Sequence, residues 1–129
     1  MTDLPIAPDA APGLTRTAGV VVEFESRLYF VPARVAERIV AKPVVSRVPG
    51  SEFGIALVNG RVTSVIDVAE GGNDLLVCDI EGEALALSGL KVYGCGFYPS
   101  RGNGIALGDE LVPELEVTAL IHRRRARER

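Results

Sequence analysis

The residue types that most often carry out chemistry are few in this chain and lie far apart. His122 is the only histidine, and no Cys, Asp or Glu stands beside it at the spacing of a metal site. Cys78 and Cys95 both lie within apolar runs, where a thiol usually acts as a small hydrophobic side chain. No nucleophile elbow precedes a serine, although a Ser-His-acid or Cys-His arrangement formed in three dimensions stays open. We therefore predict a non-enzymatic protein without metal or cofactor, an interpretation that only a deep polar cleft would reverse.

Charge is distributed unevenly along the chain. The last seven residues hold five arginines and one acid, which leaves 9 Lys+Arg against 16 Asp+Glu, a net charge of −7, on residues 1–122. An acidic body is poorly suited to binding DNA or RNA across its surface. A basic tail at 123–129 could bind RNA or anionic lipid, so one hypothesis is a small β-barrel that binds such a ligand through this tail. The other interpretation of the tail is a solvated helix end.

Length and composition indicate about one domain. The chain has 129 residues, 47% of them hydrophobic, yet no apolar run approaches the roughly 18 residues that a membrane-spanning helix needs. The N-terminus has neither the basic residues nor the apolar core of a secretion signal, so we expect a cytoplasmic protein. Residues 1–17 are rich in alanine and proline and are predicted to form a flexible leader.

A short sequence repeat indicates two similar half-structures. Residues 54–57 and 104–107 both read Gly-Ile-Ala-Leu, and each copy is followed by a polar turn and an apolar run that ends at 66–68 or 115–117. Two copies of one β unit in a chain of this length are typical of a pseudo-symmetric pair of small sheets or barrels. A coincidental match between two divergent strands is the alternative.

The elements that would position any site are mostly short strands. Residues 20–24 and 28–31 are β-branched or aromatic runs on either side of a polar turn, which predicts a hairpin. Asn59 and Gly60 stand between two further apolar runs and both tolerate positive φ, which makes them the strongest hairpin signal in the chain. A third hairpin is predicted around residues 81–82.

One helix is predicted in the first half of the chain. Within residues 33–40, Val35, Ala36, Ile39 and Val40 fall at the spacing of one helical face, with charged residues on the other.

A second helix and a loop are predicted near the C-terminus. Val117, Leu120 and Ile121 lie on one face of a possible closing helix, which the arginines would continue. Residues 99–104 are rich in Gly, Ser and Asn and are predicted to form a loop.

The order of these segments resembles the CheW-like domain, the adaptor module of bacterial chemosensory systems. The matching segments are residues 28–32 (Leu-Tyr-Phe-Val-Pro), Val35 with residues 37–40, residues 48–50 (Val-Pro-Gly), Gly54, the hairpin at 75–87, and Val92 before Gly94. Residues 60–68 (Gly-Arg-Val-Thr-Ser-Val-Ile-Asp-Val) are similar to the family's Gly-Arg-x-x-x-Val-Ile-Asp-Leu segment. The resemblance covers about residues 19–121, so we expect a CheW-like domain over residues 18–122, preceded by the leader and followed by the tail.

The resemblance implies a mainly β fold of two interlocked, small five-stranded β-barrels with one or two short helices. It also implies a non-enzymatic adaptor in chemotaxis-like signal transduction, which binds a chemoreceptor cytoplasmic tip, a histidine kinase regulatory domain, or both. The connections after Val68 and Gly96 are short. A minimal, divergent member is therefore expected, one that keeps one binding surface and loses the other.

Five residues are candidates for contacts with these partners. They are Glu37, Arg38, Ile39, Asn59 and Arg61. Family members usually have Asn-Leu-Arg before the Gly-Arg pair, whereas this chain has Leu-Val-Asn, so Asn59 stands in place of an arginine associated with receptor and kinase coupling. Each candidate also has a structural interpretation: Ile39 as a core residue, Asn59 as a turn residue, and the charges as solvated side chains.

Overall fold

A computed structural model describes residues 15–41, 45–47, 49, 53–69 and 74–127 of the chain. These residues form eleven strands and one helix. The strands are β1 (Arg16–Phe24), β2 (Arg27–Pro32), β3 (Ala36–Ala41), β4 (Val45–Arg47), β5 (Phe53–Val58), β6 (Arg61–Asp67), β7 (Asp74–Ile80), β8 (Glu83–Ser88), β9 (Lys91–Arg101), β10 (Gly104–Leu107) and β11 (Glu110–Pro113), and the helix is α1 (Val117–Arg127). Residues 1–14 of the predicted leader lie outside the described residues, and Arg16 and Thr17 belong to β1.

Two-residue turns with positive φ divide the chain into hairpins. Asn59 and Gly60 have φ values of 53° and 77°, and they join β5 to β6. Glu81 and Gly82 also have positive φ, and they join β7 to β8. Such turns match the right-handed twist of paired strands, which explains why Asn-Gly was a reliable signal. The three predicted hairpins, including β1 with β2, are therefore confirmed.

The first sheet has five strands in the order β11-β10-β9-β1-β2. It curls until its edges meet, because Phe30 in β2 forms a parallel bridge with Glu114 just after β11. The Leu115 N–H donates to the Phe30 carbonyl oxygen over 2.8 Å at the same place. Inside the curl lies a cluster of four buried residues, Val21, Phe30, Ile105 and Val112.

The second sheet has six strands in the order β3-β7-β8-β6-β5-β4. Its neighbours are antiparallel except for β6 and β8, which pair in parallel. The inner face is lined by small and β-branched side chains together with one leucine: Ala56, Val58, Val65, Leu75, Val77 and Ala86.

The two sheets pack against each other through the largest apolar cluster. It joins the outer faces of both sheets to the helix, and Val117, Leu120 and Ile121 of α1 are all buried in it. Because each fully buried aliphatic side chain contributes about 1.5–3 kcal/mol, this cluster holds the halves in one body. The expectation of a mainly β fold with curled five-stranded units is confirmed, with one additional strand in the second sheet, and so is the closing helix.

The prediction of a helix over residues 33–40 is wrong. Residues 33–35 form a turn in which the Val35 N–H donates to the Pro32 carbonyl oxygen over 2.9 Å, and β3 follows. A register shift between Ala36 and Arg38 interrupts the pairing of β3 with β7. This β-bulge places Ala36 and Ile39 on the same side of the strand, three residues apart, so the apolar spacing imitates a helical face.

The loop predicted at residues 99–104 is also wrong in extent. β9 continues through Arg101, and only residues 102–103 form a turn before β10 begins. Ser100 and Arg101 pair with Ile105 and Gly104, so the small polar residues form the end of a hairpin.

Candidate functional site

The β5–β6 hairpin has apolar side chains on both of its faces. Ala56 and Val58 point into the second sheet and are buried. On the outer face, Ile55, Leu57 and Val62 have 43%, 70% and 72% of their surface exposed, and Leu57 lies directly opposite Val62 in the register. We call these three residues the outer apolar strip. Isolated exposed apolar residues are ordinary, but a cross-strand pair continued by a third residue is typical of a binding surface.

Beside this strip lies an open cleft of about 550 Å³ at one end of the second sheet. Its buried lining includes Val58, Thr63 and Val77. The charged residues around it are Glu37, Arg38, Arg61, Asp79 and Glu83. Charged groups of both signs therefore surround a lining that is partly apolar, an arrangement that suits contact with a polar protein surface.

Curling of the second sheet brings Arg38 of β3 to the tip of the β5–β6 turn. The Arg38 Nη1 atom donates a hydrogen bond of 2.9 Å to Oδ1 of Asn59, and both side chains are exposed. On the other side of the cleft, Oδ1 of Asp79 accepts a 2.9 Å hydrogen bond from the Gly82 N–H. The first bond links β3 to the β5–β6 turn, although β3 pairs with neither strand of that hairpin, and the second fixes the β7–β8 turn.

Four of the five predicted contact residues line this cleft. They are Glu37, Arg38, Asn59 and Arg61. Ile39 lies opposite Leu76 and packs against the cluster between the two sheets, so it is part of the core side of β3. Whether the four residues in the cleft bind a partner stays a prediction.

Sequence reasoning missed the outer apolar strip. Its signal was present, because residues 54–58 read Gly-Ile-Ala-Leu-Val and a strand that is apolar at consecutive positions has an apolar side chain on each face. Such a strand is either covered on both faces or exposes one of them. The second case holds here for Ile55 and Leu57.

Neither cysteine nor the histidine is among the residues that line the cleft. Burial, and secondarily the charge of Glu37, raises the pKa of the Cys78 thiol to about 12, so this thiol stays protonated. Cys95 and His122 are exposed, one on β9 and the other on α1. Among the residues that the structure describes, no three His, Cys, Asp or Glu side chains come together as metal ligands would. In the same part of the chain, no helix has the length and apolar character to cross a membrane.

Comparison with known proteins gives a match at the level of structure. No protein family model and no curated protein matches the sequence. The fold is similar to that in the crystal structure of the scaffolding protein TtCheW from Thermoanaerobacter tengcongensis, with a TM-score of 0.55 and 18% sequence identity. The match covers 64% of this chain and 65% of that one, so it spans just under two thirds of the length of TtCheW. The two curled sheets, the closing helix and this match together show that the chain has a CheW-like fold.

Proposed function

We propose that this protein is a non-enzymatic adaptor of a bacterial chemosensory system, acting in the cytoplasm. Its partners would be the regulatory β-barrel domain of a histidine kinase, the cytoplasmic tip of a chemoreceptor, or both. The proposal is supported by the CheW-like fold, since the similar protein TtCheW is described as a scaffolding protein.

The outer apolar strip is the observation that carries the proposal. About 70% of the surface of Leu57 and of Val62 is exposed to water, and these side chains do not contribute to the core. Covering either side chain would stabilise a complex by about 1–2 kcal/mol. The charged cleft beside the strip supplies the polar rim that usually surrounds the apolar centre of a protein interface.

Arg38 offers a replacement for the arginine that family members usually have at position 59. Its guanidinium lies 2.9 Å from the amide oxygen of Asn59, at the tip of the same turn. A cation therefore stands at this turn although the turn residue itself is neutral. Arg61 lines the same cleft and is also exposed.

Titration calorimetry of the full chain tests the proposal against two purified partners from the same organism. These are the regulatory domain of its chemosensory kinase and a receptor signalling tip. We expect binding to at least one of them, and an at least roughly tenfold weaker affinity for Leu57→Glu, which corresponds to about 1.4 kcal/mol. Leu111→Glu is the matched control, because Leu111 is also exposed but lies on the first sheet.

Two results would contradict the proposal. One is no heat of binding with either partner from a sample whose circular dichroism shows a folded β protein. The other is equal weakening by Leu57→Glu and Leu111→Glu, which would remove the strip as the contact surface. Replacing the five arginines of residues 123–129 with glutamine should leave the affinity unchanged, whereas an adaptor that used its basic tail would lose binding.

A further inference from the structure

The first half of β9 has an open edge. Along its length β9 pairs with β1 on one side. On the other side β10 pairs only with Ser100 and Arg101, and within the described part of the chain no strand pairs with the edge from Lys91 to Phe97. Alternate N–H and C=O groups of this segment are therefore available to another strand.

Most of this edge lacks the charged residues and prolines that usually protect an edge strand, although Lys91 begins it and a β-bulge stands at Tyr93. Edge strands are normally guarded by charged residues or prolines. Residues 92–98 read Val-Tyr-Gly-Cys-Gly-Phe-Tyr and contain neither. Pro99, which has no N–H to donate, comes only where β10 approaches β9.

A row of exposed side chains runs along the outer side of the same segment. Tyr93 and Phe97 have 64% and 69% of their surface exposed, and Cys95 between them is exposed as well. The register with β1 shifts at Tyr93, and regular pairing then runs from Gly94 to Phe97. Two large aromatic side chains at a free strand edge form an apolar surface that a neighbouring strand would cover.

The segment is nearly symmetric about Cys95. Glycines stand one residue away on each side, and aromatic residues stand two residues away. Each glycine also has a local role: a Cβ on Gly94 would lie 3.2 Å from the Tyr98 hydroxyl, and Gly96 has a φ of 154°. The aromatic residues and Cys95 have no such local role, since their side chains point into solvent.

We propose that the β9 edge binds a second copy of this chain, in antiparallel pairing about a two-fold axis at Cys95. Such an interface is isologous, so each contact occurs twice. Tyr93 lies opposite the partner's Phe97, and Cys95 lies opposite the partner's Cys95. Lys91 is the only charged residue from 91 to 99, so no like charges meet across the axis. The proposal does not depend on the adaptor function, because the outer apolar strip lies on the other sheet.

The expected dimer is weak and reversible. Four aromatic side chains that are already about one third covered, together with five residue pairs of backbone, give an interface below the roughly 1,200 Å² of stable complexes. Association should therefore rise with protein concentration, and it should be visible by sedimentation velocity of the full chain over a roughly hundredfold concentration range.

A pair of double variants tests the register. In Tyr93→Lys/Phe97→Lys, lysines face lysines at both ends, and we expect a monomer throughout the concentration range. In Tyr93→Glu/Phe97→Lys, each Glu faces a Lys but the aromatic contacts are lost, so we expect less association than in the wild type and more than in the double lysine variant. Because both positions are exposed, either variant should keep its circular dichroism spectrum. A wild-type monomer at every concentration overturns the proposal, as does a dimer that survives the double lysine variant or a Glu/Lys variant that associates no more strongly than the double lysine variant.

Cross-linking of Cys95 gives a second, independent test. Opposed Cα atoms in an antiparallel pair lie about 4.5–5.5 Å apart, within the range of a disulfide. With added diamide, two thiols would lose two protons and two electrons to the N=N bond of diamide and form one disulfide.

We expect a covalent dimer from the wild type and none from Cys95→Ser, because Cys78 is buried. As a control, Thr118→Cys in the Cys95→Ser background carries an exposed thiol on α1 and should cross-link at least about tenfold more slowly. Equal rates for the two thiols would show random collision and overturn the proposal.

Discussion

Replacing Asn59 with arginine should cost the fold about 2 kcal/mol. The residue has a φ of 53°, a left-handed conformation that asparagine tolerates and that costs other side chains about 1 kcal/mol. The exposed hydrogen bond from Arg38, worth about 0.5 kcal/mol after screening by solvent, is also lost. A third guanidinium beside Arg38 and Arg61 adds repulsion of up to about 1 kcal/mol in water.

Urea unfolding followed by far-ultraviolet circular dichroism measures this loss, since the chain has no tryptophan for fluorescence. Asn59→Gly is the matched control because glycine accepts positive φ without strain. It removes only the side-chain hydrogen bond and should cost about 0.5 kcal/mol. Equal stability of the two variants would refute the reasoning, since neither the backbone conformation nor the crowding of guanidinium groups would then matter.

The same variant separates stability from binding. If the cleft binds a receptor tip, Asn59→Arg should strengthen that binding while it weakens the fold, because the CheW-like domains that this chain resembles usually have an arginine at this position. Calorimetry with the receptor tip measures the first effect and urea unfolding the second. An unchanged affinity for the receptor tip would count against the cleft as the site of receptor contact.

Three further changes test the packing. Gly104→Ala should destabilise the fold by about 3 kcal/mol in urea unfolding, because its Cβ would lie 1.9 Å from the Val112 carbonyl oxygen; a loss below about 1 kcal/mol would contradict this. The free energy of unfolding should fall by up to about 1.4 kcal/mol per pH unit from pH 9 towards 12, since the Cys78 thiol ionises in the unfolded chain but stays protonated when folded; Cys78→Ala should lack this contribution. Arg34→Ala removes an exposed 3.0 Å ion pair with Glu114 and should change the stability by less than about 1 kcal/mol.

Turn chemistry could be predicted from the sequence because it is local. The hairpins at Asn59-Gly60 and at residues 81–82 depend on the φ values of two residues each, and those values follow from residue type. The closing helix could also be predicted from the sequence, since Val117, Leu120 and Ile121 fix its buried face. The strand β3 could not be recognised in the same way, because its bulge depends on pairing with a strand almost forty residues away.

The cleft depended on the same long-range pairing. The sequence pattern predicts Glu37 and Arg38 on a helix that the structure does not form. They nevertheless line one cleft with Asn59 and Arg61, because the second sheet curls. Ile39 lies one residue further along β3 and points to the other side of the sheet. The sequence thus identified segments that come together, whereas the face of each residue was decided by strand pairing.

The two copies of the Gly-Ile-Ala-Leu motif differ in which residues are buried, because strand pairing decides the face on which each side chain lies. In β10, Ile105 is fully buried inside the first sheet. In β5 the equivalent Ile55 is 43% exposed, while Ala56 points inward to a face that also contains Ala86. The Asn59-Gly60 turn fixes the register of β5 with β6, and a shift by one residue would exchange the two faces. The exposure of Leu57 and Val62 leaves about 2–4 kcal/mol of burial free energy unused in the free protein. A partner that covers the outer apolar strip would gain this free energy on binding.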